Sequence, residues 1–140
     1  MRDLATRDER SSFSSRIMIW KSSIKILKDN WVVGIGPGNF QETYLQYQKY
    51  SPPYLEWAVP YPHNIFLAFW IQAGIIGLVG FLLLISSWFW KVLKNKKPQD
   101  ENLRCAVLGV MFYILLHGLV DTTYFKNDLA VIFWLCFMAL

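Results

Sequence analysis

His63 is the side chain best placed to do chemistry in this sequence. It follows a proline-rich stretch and, with Asn64, directly precedes an uncharged run that begins at Ile65. At the mouth of a helix the macrodipole disfavours imidazolium, so a neutral ring there could take a proton from a hydroxyl. The plain structural reading of the same residue is an interfacial polar group beside a membrane helix. His117 and Asp121 are four apart and share one helix face near the end of a second apolar run. Ionisable groups in such places are costly and turn toward a bundle interior or a wet cavity. They are expected to hydrogen-bond to each other and shape a site wall rather than act on substrate.

Two other groups of residues point away from chemistry. Gly34-Ile35-Gly36-Pro37-Gly38-Asn39-Phe40 could cradle an anion with its backbone amides, but it lacks the Rossmann spacing and the Lys-Ser/Thr of a phosphate loop. It reads better as a turn, with Asn39 as N-cap and Glu42 at the third position of a helix running to about Tyr50. Cys105 and Cys136 both lie in apolar runs, which argues against a disulfide framework or a cysteine metal site.

The elements that must position His63 are legible in the hydropathy. The chain has 140 residues, 54% hydrophobic and 17% aromatic, with a net charge of +4. Its mean hydropathy is +0.27. This composition excludes a disordered or collagen-like chain and a soluble nucleic-acid binder. Ile65 to Trp90 is 26 residues without a formal charge, longer than the roughly 20 that cross a bilayer. Trp70 lies toward one end, and Trp88 and Trp90 lie at the other, as interfacial belts would. A second apolar run spans 105–120, broken only by His117, and a third starts at Leu129. The third covers only about 18 Å by Leu140, so the chain is expected to be a piece of a longer polytopic protein or a degraded copy of one.

Orientation follows from the basic residues. Lys91, Lys94, Lys96, Lys97 and Arg104 crowd the 91–104 loop, whereas 43–62 carries only Lys49. The positive-inside rule makes that loop cytoplasmic and puts residues 1–62 outside, with the short turn from Asp121 to Asp128. Lys126 and Asp128 read as interfacial charges on that turn. Within 1–62, Phe13, Ile17, Trp20, Ile24 and Leu27 form an apolar helical stripe, with Lys21, Lys25 and Lys28 off it. Thr6 and Glu9 have capping-box spacing, and Ser11, Ser12 and Ser14 are alternative caps. The stripe suits either an anionic membrane surface or packing against other parts of a larger protein. Ser51–Pro62 is a stiff, proline-rich connector. The expected architecture is an all-α membrane protein: an outer helical segment, 1–62, and a transmembrane region, 63–140, with two to three spans at about 65–90, 105–120 and 129–140.

On these residues the chain resembles the C-terminal part of the O-antigen ligase/O-antigen polymerase family of membrane glycosyltransferases. His63-Asn64, nine residues, Gly74, two residues and Gly77 is similar to that family's signature. Arg16 with Trp20 four residues later, Asp29-Asn30 and the Gly34–Phe40 turn resemble its outer loop. Gly118-Leu119-Val120-Asp121 and Tyr124-Phe125-Lys126-Asn127-Asp128 resemble its closing spans. The likeness covers almost the whole chain from about Ser11.

The resemblance implies a multi-pass protein of the bacterial cytoplasmic membrane with its site on the outer face. It implies glycan transfer from an undecaprenyl-pyrophosphate carrier to a glycan or lipid-linked acceptor hydroxyl, without a metal or other cofactor. Membrane lipids are expected partners; nucleic acid is not. His63 would be the catalytic base, Arg16 would hold the donor pyrophosphate, and Asn64, His117 and Asp121 would line the site. A guanidinium suits that task because it stays charged and grips two phosphate oxygens at once. Full family members carry more spans and arginines, so this segment alone is expected to be inactive. The competing expectation is a small non-enzymatic membrane protein that binds lipid or a partner through its basic amphipathic helix.

Overall fold

The computed structural model describes residues 12–52, 58–94, 101–125 and 127–139. These are 79% helical and contain no strand. Among the described residues five α-helices follow one another: α1 Ser12–Asn30, α2 Phe40–Tyr47, α3 Ile65–Lys94, α4 Glu101–His117 and α5 Asn127–Met138. A 3-10 turn, Gln48–Tyr50, extends α2 to the expected end at Tyr50. Among the described residues, only α3 is long and apolar enough to cross a membrane. The Thr6–Glu9 pair, Ser11, the middle of the proline-rich connector, Lys96, Lys97 and Lys126 lie outside the described residues.

The face of α1 that packs shares only Leu27 with the predicted apolar stripe. Its buried residues are Ser15, Met18, Ile19, Ser22, Ser23, Ile26 and Leu27. Phe13 and Ile24 stay 63% and 49% exposed. Ser22 and Ser23 are fully covered; their small side chains let the helices approach closely, at the cost of two hydroxyls without a hydrogen-bond partner among the described residues. Ile19, Ile26 and Leu27 pack with Phe40, Tyr44, Val59 and Ile71 into one core. Helix periodicity marks apolar positions, but which flank is covered depends on where α2 and α3 arrive.

Helix α3 departs from the uninterrupted span expected over Ile65–Trp90. Gly74 breaks it, with φ 68° and ψ −168°, a conformation open to glycine and strained for any other residue. The break frees backbone groups that must be paired away from water. The carbonyls of Ile71 and Gln72 accept from the amides of Ile35 (2.7 Å) and Gly36 (3.1 Å), and the Ile75 amide donates to Trp31 and Val32. The glycine-rich turn thus spends its amides on α3, as a structural turn. A Cβ on Gly34 would sit 2.6 Å from the Gly74 nitrogen, so both positions require glycine. Asn39 stands at the N-cap of α2 but forms no cap bond. Its amide instead donates to the Ile35 carbonyl at 2.8 Å, brought within reach by the tight turn.

Past Gly74 the helix folds back on itself. The rings of Phe69 and Phe81 stack at 4.2 Å, although twelve residues of straight helix would separate them by about 18 Å. The first arm, 65–73, is therefore wedged between the α1–α2 hairpin and the remaining helices. The second arm, 75–94, is about 30 Å long, a bilayer's hydrocarbon thickness. It packs through Phe81, Ile85, Trp88 and Val92 against Val107, Met111 and Phe133 of α4 and α5. Trp88 ties the bundle by donating to the Cys136 carbonyl at 3.0 Å, and both cysteines are free thiols.

Candidate functional site

His63 occupies the last loop position but one before α3, with φ 48°, in the left-handed region. For a residue with a Cβ this costs about 1–2 kcal/mol, so neighbouring contacts must hold it. On one side, Asn64 accepts the Leu67 amide at 2.9 Å, capping α3, and donates to the Leu119 carbonyl at 2.9 Å. On the other, the Trp20 indole donates to the carbonyls of Pro62 (3.0 Å) and His63 (3.4 Å). Asn64, expected as site wall, therefore works as cap and clamp. Its clamp is reinforced by the Ile65 amide, which donates to Gly118.

These ties carry the start of α3 to the turn after α4, where Asp121 waits. His63 Nδ1 lies 3.3 Å from Asp121 Oδ1, and His117 Nε2 lies 3.6 Å from Asp121 Oδ2. Asp121 Oδ1 also accepts the Thr122 amide at 2.8 Å. The carboxylate is only 13% exposed, against 31% for His63 and 40% for His117. His117 stacks on Tyr113, ring centroids 5.6 Å apart. His117 and Asp121 come together as expected, but at 3.6 Å they are beyond the hydrogen-bond distance that the spacing suggested. The His63–Asp121 contact, spanning 58 residues of sequence, has no local signal and was missed.

With a hydrogen on Nδ1, His63 donates to Asp121 and keeps the lone pair of Nε2 for another group. The two histidines meet opposite oxygens of one carboxylate instead of converging on a common point. Among the described residues no group of three His, Cys, Asp or Glu side chains is arranged to hold a metal ion.

Arg16 lies one helical turn before Trp20 on the same flank of α1. Its Nη1 donates to Ser12 Oγ at 2.9 Å. Its Nε is buried without a hydrogen-bond partner among the described residues. Trp20 links this flank mechanically to His63. Nothing in the sequence marked that indole as an anchor beyond its place four residues after Arg16.

Among the described residues, the fold and site show a helical protein with one membrane-length apolar helix and a histidine–carboxylate pair at the start of that helix's first arm. Residues 1–82 match the family model described as O-antigen ligase. The chain belongs to the O-antigen ligase family. The matched region contains Arg16, His63, Asn64, Gly74 and Gly77, and it ends before His117 and Asp121. The chain is also similar to an uncharacterized protein of Haemophilus influenzae, 20% identical over 116 residues, which are 81% of this chain. It spans about 29% of that relative's length. No solved structure matches the chain.

Proposed function

We propose that this chain carries the acceptor-activating part of a membrane glycosyltransferase that moves a glycan from undecaprenyl pyrophosphate to a sugar hydroxyl. The reading places the site on the outer face of the bacterial cytoplasmic membrane in a multi-pass protein. The observation that carries it is the His63–Asp121 pair at 3.3 Å, held at the mouth of α3 and tied through Trp20 to the helix that bears Arg16.

In this reading Asp121 fixes the imidazole with its Nδ1 hydrogen inward, and Nε2 takes the proton of the acceptor hydroxyl. The hydroxyl oxygen attacks the anomeric carbon as the bond to the pyrophosphate oxygen breaks. The electron pair leaves with undecaprenyl pyrophosphate, and the Arg16 guanidinium stabilises its growing charge. The buried Nε of Arg16 supports this role, because a desolvated donor gains most from an anion.

The test is glycan transfer in membranes that carry the native protein and its variants. His63→Asn is the informative substitution, since asparagine tolerates the left-handed backbone but cannot serve as base. It is expected to lower transfer by roughly 10²–10⁴ at normal abundance. Arg16→Lys keeps the charge and loses the fork, so its defect should be greatest at low donor concentration. Parental rates from both variants would overturn the reading.

A further inference from the structure

The flank of α1 that the core leaves uncovered continues into the membrane-length arm of α3. Trp31, Val32 and Val33, just past α1, are 54%, 45% and 78% exposed. Their corner is pinned to the start of that arm, because the Trp31 and Val32 carbonyls hold the Ile75 amide. The next residue, Ile76, is 77% exposed. One apolar surface therefore runs from the arm onto the end of α1, where hydrocarbon costs nothing to meet and water costs about 25 cal/mol per Å².

Beside this corner lies an apolar groove of about 470 Å³ between α1 and the 65–73 arm, lined by Ile24, Leu27, Trp31, Leu67 and Trp70. The Trp70 indole donates to the Trp31 carbonyl at 3.0 Å, so its polar end is satisfied at the rim. Lys28 closes the same rim. It also lines a second hollow with Lys21 and Lys25 on the adjoining flank. Lys21 and Lys28 are exposed and two turns apart. Lys25 is committed to the Tyr50 carbonyl at 2.8 Å, and the neighbouring carboxylate of Asp29 accepts from Tyr47 at 2.6 Å. A hydrocarbon slot with the Lys28 ammonium at its edge and Lys21 on the adjoining flank complements a ligand with an apolar tail and an anionic head.

We propose that this groove binds one phospholipid with an anionic headgroup, an acyl chain lying against Trp31, Leu67 and Trp70 and the phosphate at Lys28 and Lys21. The site uses none of the residues given a part in glycan transfer and stands whether or not that reading holds.

The experiment is native mass spectrometry of the full chain in mild detergent, with phosphatidylglycerol or phosphatidylcholine of identical acyl chains. Retention of one phosphatidylglycerol roughly thirtyfold more tightly than phosphatidylcholine is expected from two lysines. Lys21→Gln with Lys28→Gln should equalise the two lipids. Ile24→Gln, at an exposed groove position, should weaken both. Equal retention by the parent chain would overturn the proposal. So would displacement of phosphatidylglycerol by millimolar inorganic phosphate, which would mark a free-anion site. Displacement by an equal concentration of undecaprenyl phosphate would assign the groove to a polyprenyl chain and overturn it too.

Discussion

The indole of Trp20 donates to the backbone carbonyls of Pro62 and His63, 42 and 43 residues away. One hydrogen-bonding side chain thereby couples the helix that bears Arg16 to the strained residue at the mouth of α3. Trp20 hydrogen-bonds to the His63 backbone, so in the proposed mechanism it is a positioning residue.

Trp20→Phe keeps the aromatic bulk and removes the donor. The expected cost is about 1 kcal/mol, seen as a fall of roughly fivefold in the transfer rate at saturating donor with little change in KM. A purely structural tryptophan would instead lower abundance and leave the rate per molecule unchanged. Quantitative immunoblotting beside initial rates separates the two.

Asp121→Asn and His117→Gln should part company. In the proposed mechanism the amide can no longer act as the anionic acceptor that holds His63 in one tautomer, and such a loss lowers rates by roughly 10⁴-fold. His117 meets the other carboxylate oxygen at 3.6 Å, and its loss should change the rate only a few-fold. Equal defects would place both histidines in the chemistry.

Gly74→Ala is expected to destabilise the chain strongly. Positive φ alone costs an alanine about 1–2 kcal/mol, and the new Cβ would collide with the Val32 backbone. Gly80→Ala, where a Cβ meets nothing within 4 Å, should be neutral or slightly stabilising. Limited proteolysis of the 31–38 turn and thermal unfolding in detergent test the contrast. Equal stability of the two variants would contradict the broken helix.

The Tyr47–Asp29 hydrogen bond should make the α1–α2 hairpin sensitive to alkali. Its 2.6 Å bond to the carboxylate, with a smaller contribution from burial, raises the Tyr47 phenol above its ordinary value of 10.0. The folded state favours the neutral phenol, so the contribution is complete below pH 10 and disappears as pH rises through the raised folded value. The parent chain should therefore be slightly more stable than Tyr47→Phe at pH 8, and the advantage should vanish in stronger alkali. Chemical denaturation at several pH values measures it.

Helical class and the long apolar helix were legible in the sequence because both are local. A charge-free run longer than a bilayer needs no knowledge of its neighbours, nor does the four-residue spacing that pairs His117 with Asp121. The resemblance also named the family whose model matches residues 1–82. What the sequence left open was every decision made between distant segments. Periodicity identified an apolar stripe on α1, yet the hairpin partner and the first arm of α3 covered the serine-bearing flank beside it. Gly74 stood in an ordinary apolar run, and only docking of the 31–36 turn made a break there cheap, by pairing the freed amides and carbonyls. His63 reached Asp121 because Asn64 and Ile65 bound the turn after α4. Hydrophobic pattern sets which residues leave water, whereas backbone pairing across 40 to 60 residues of separation decides which polar groups meet, and that exists only in the folded chain.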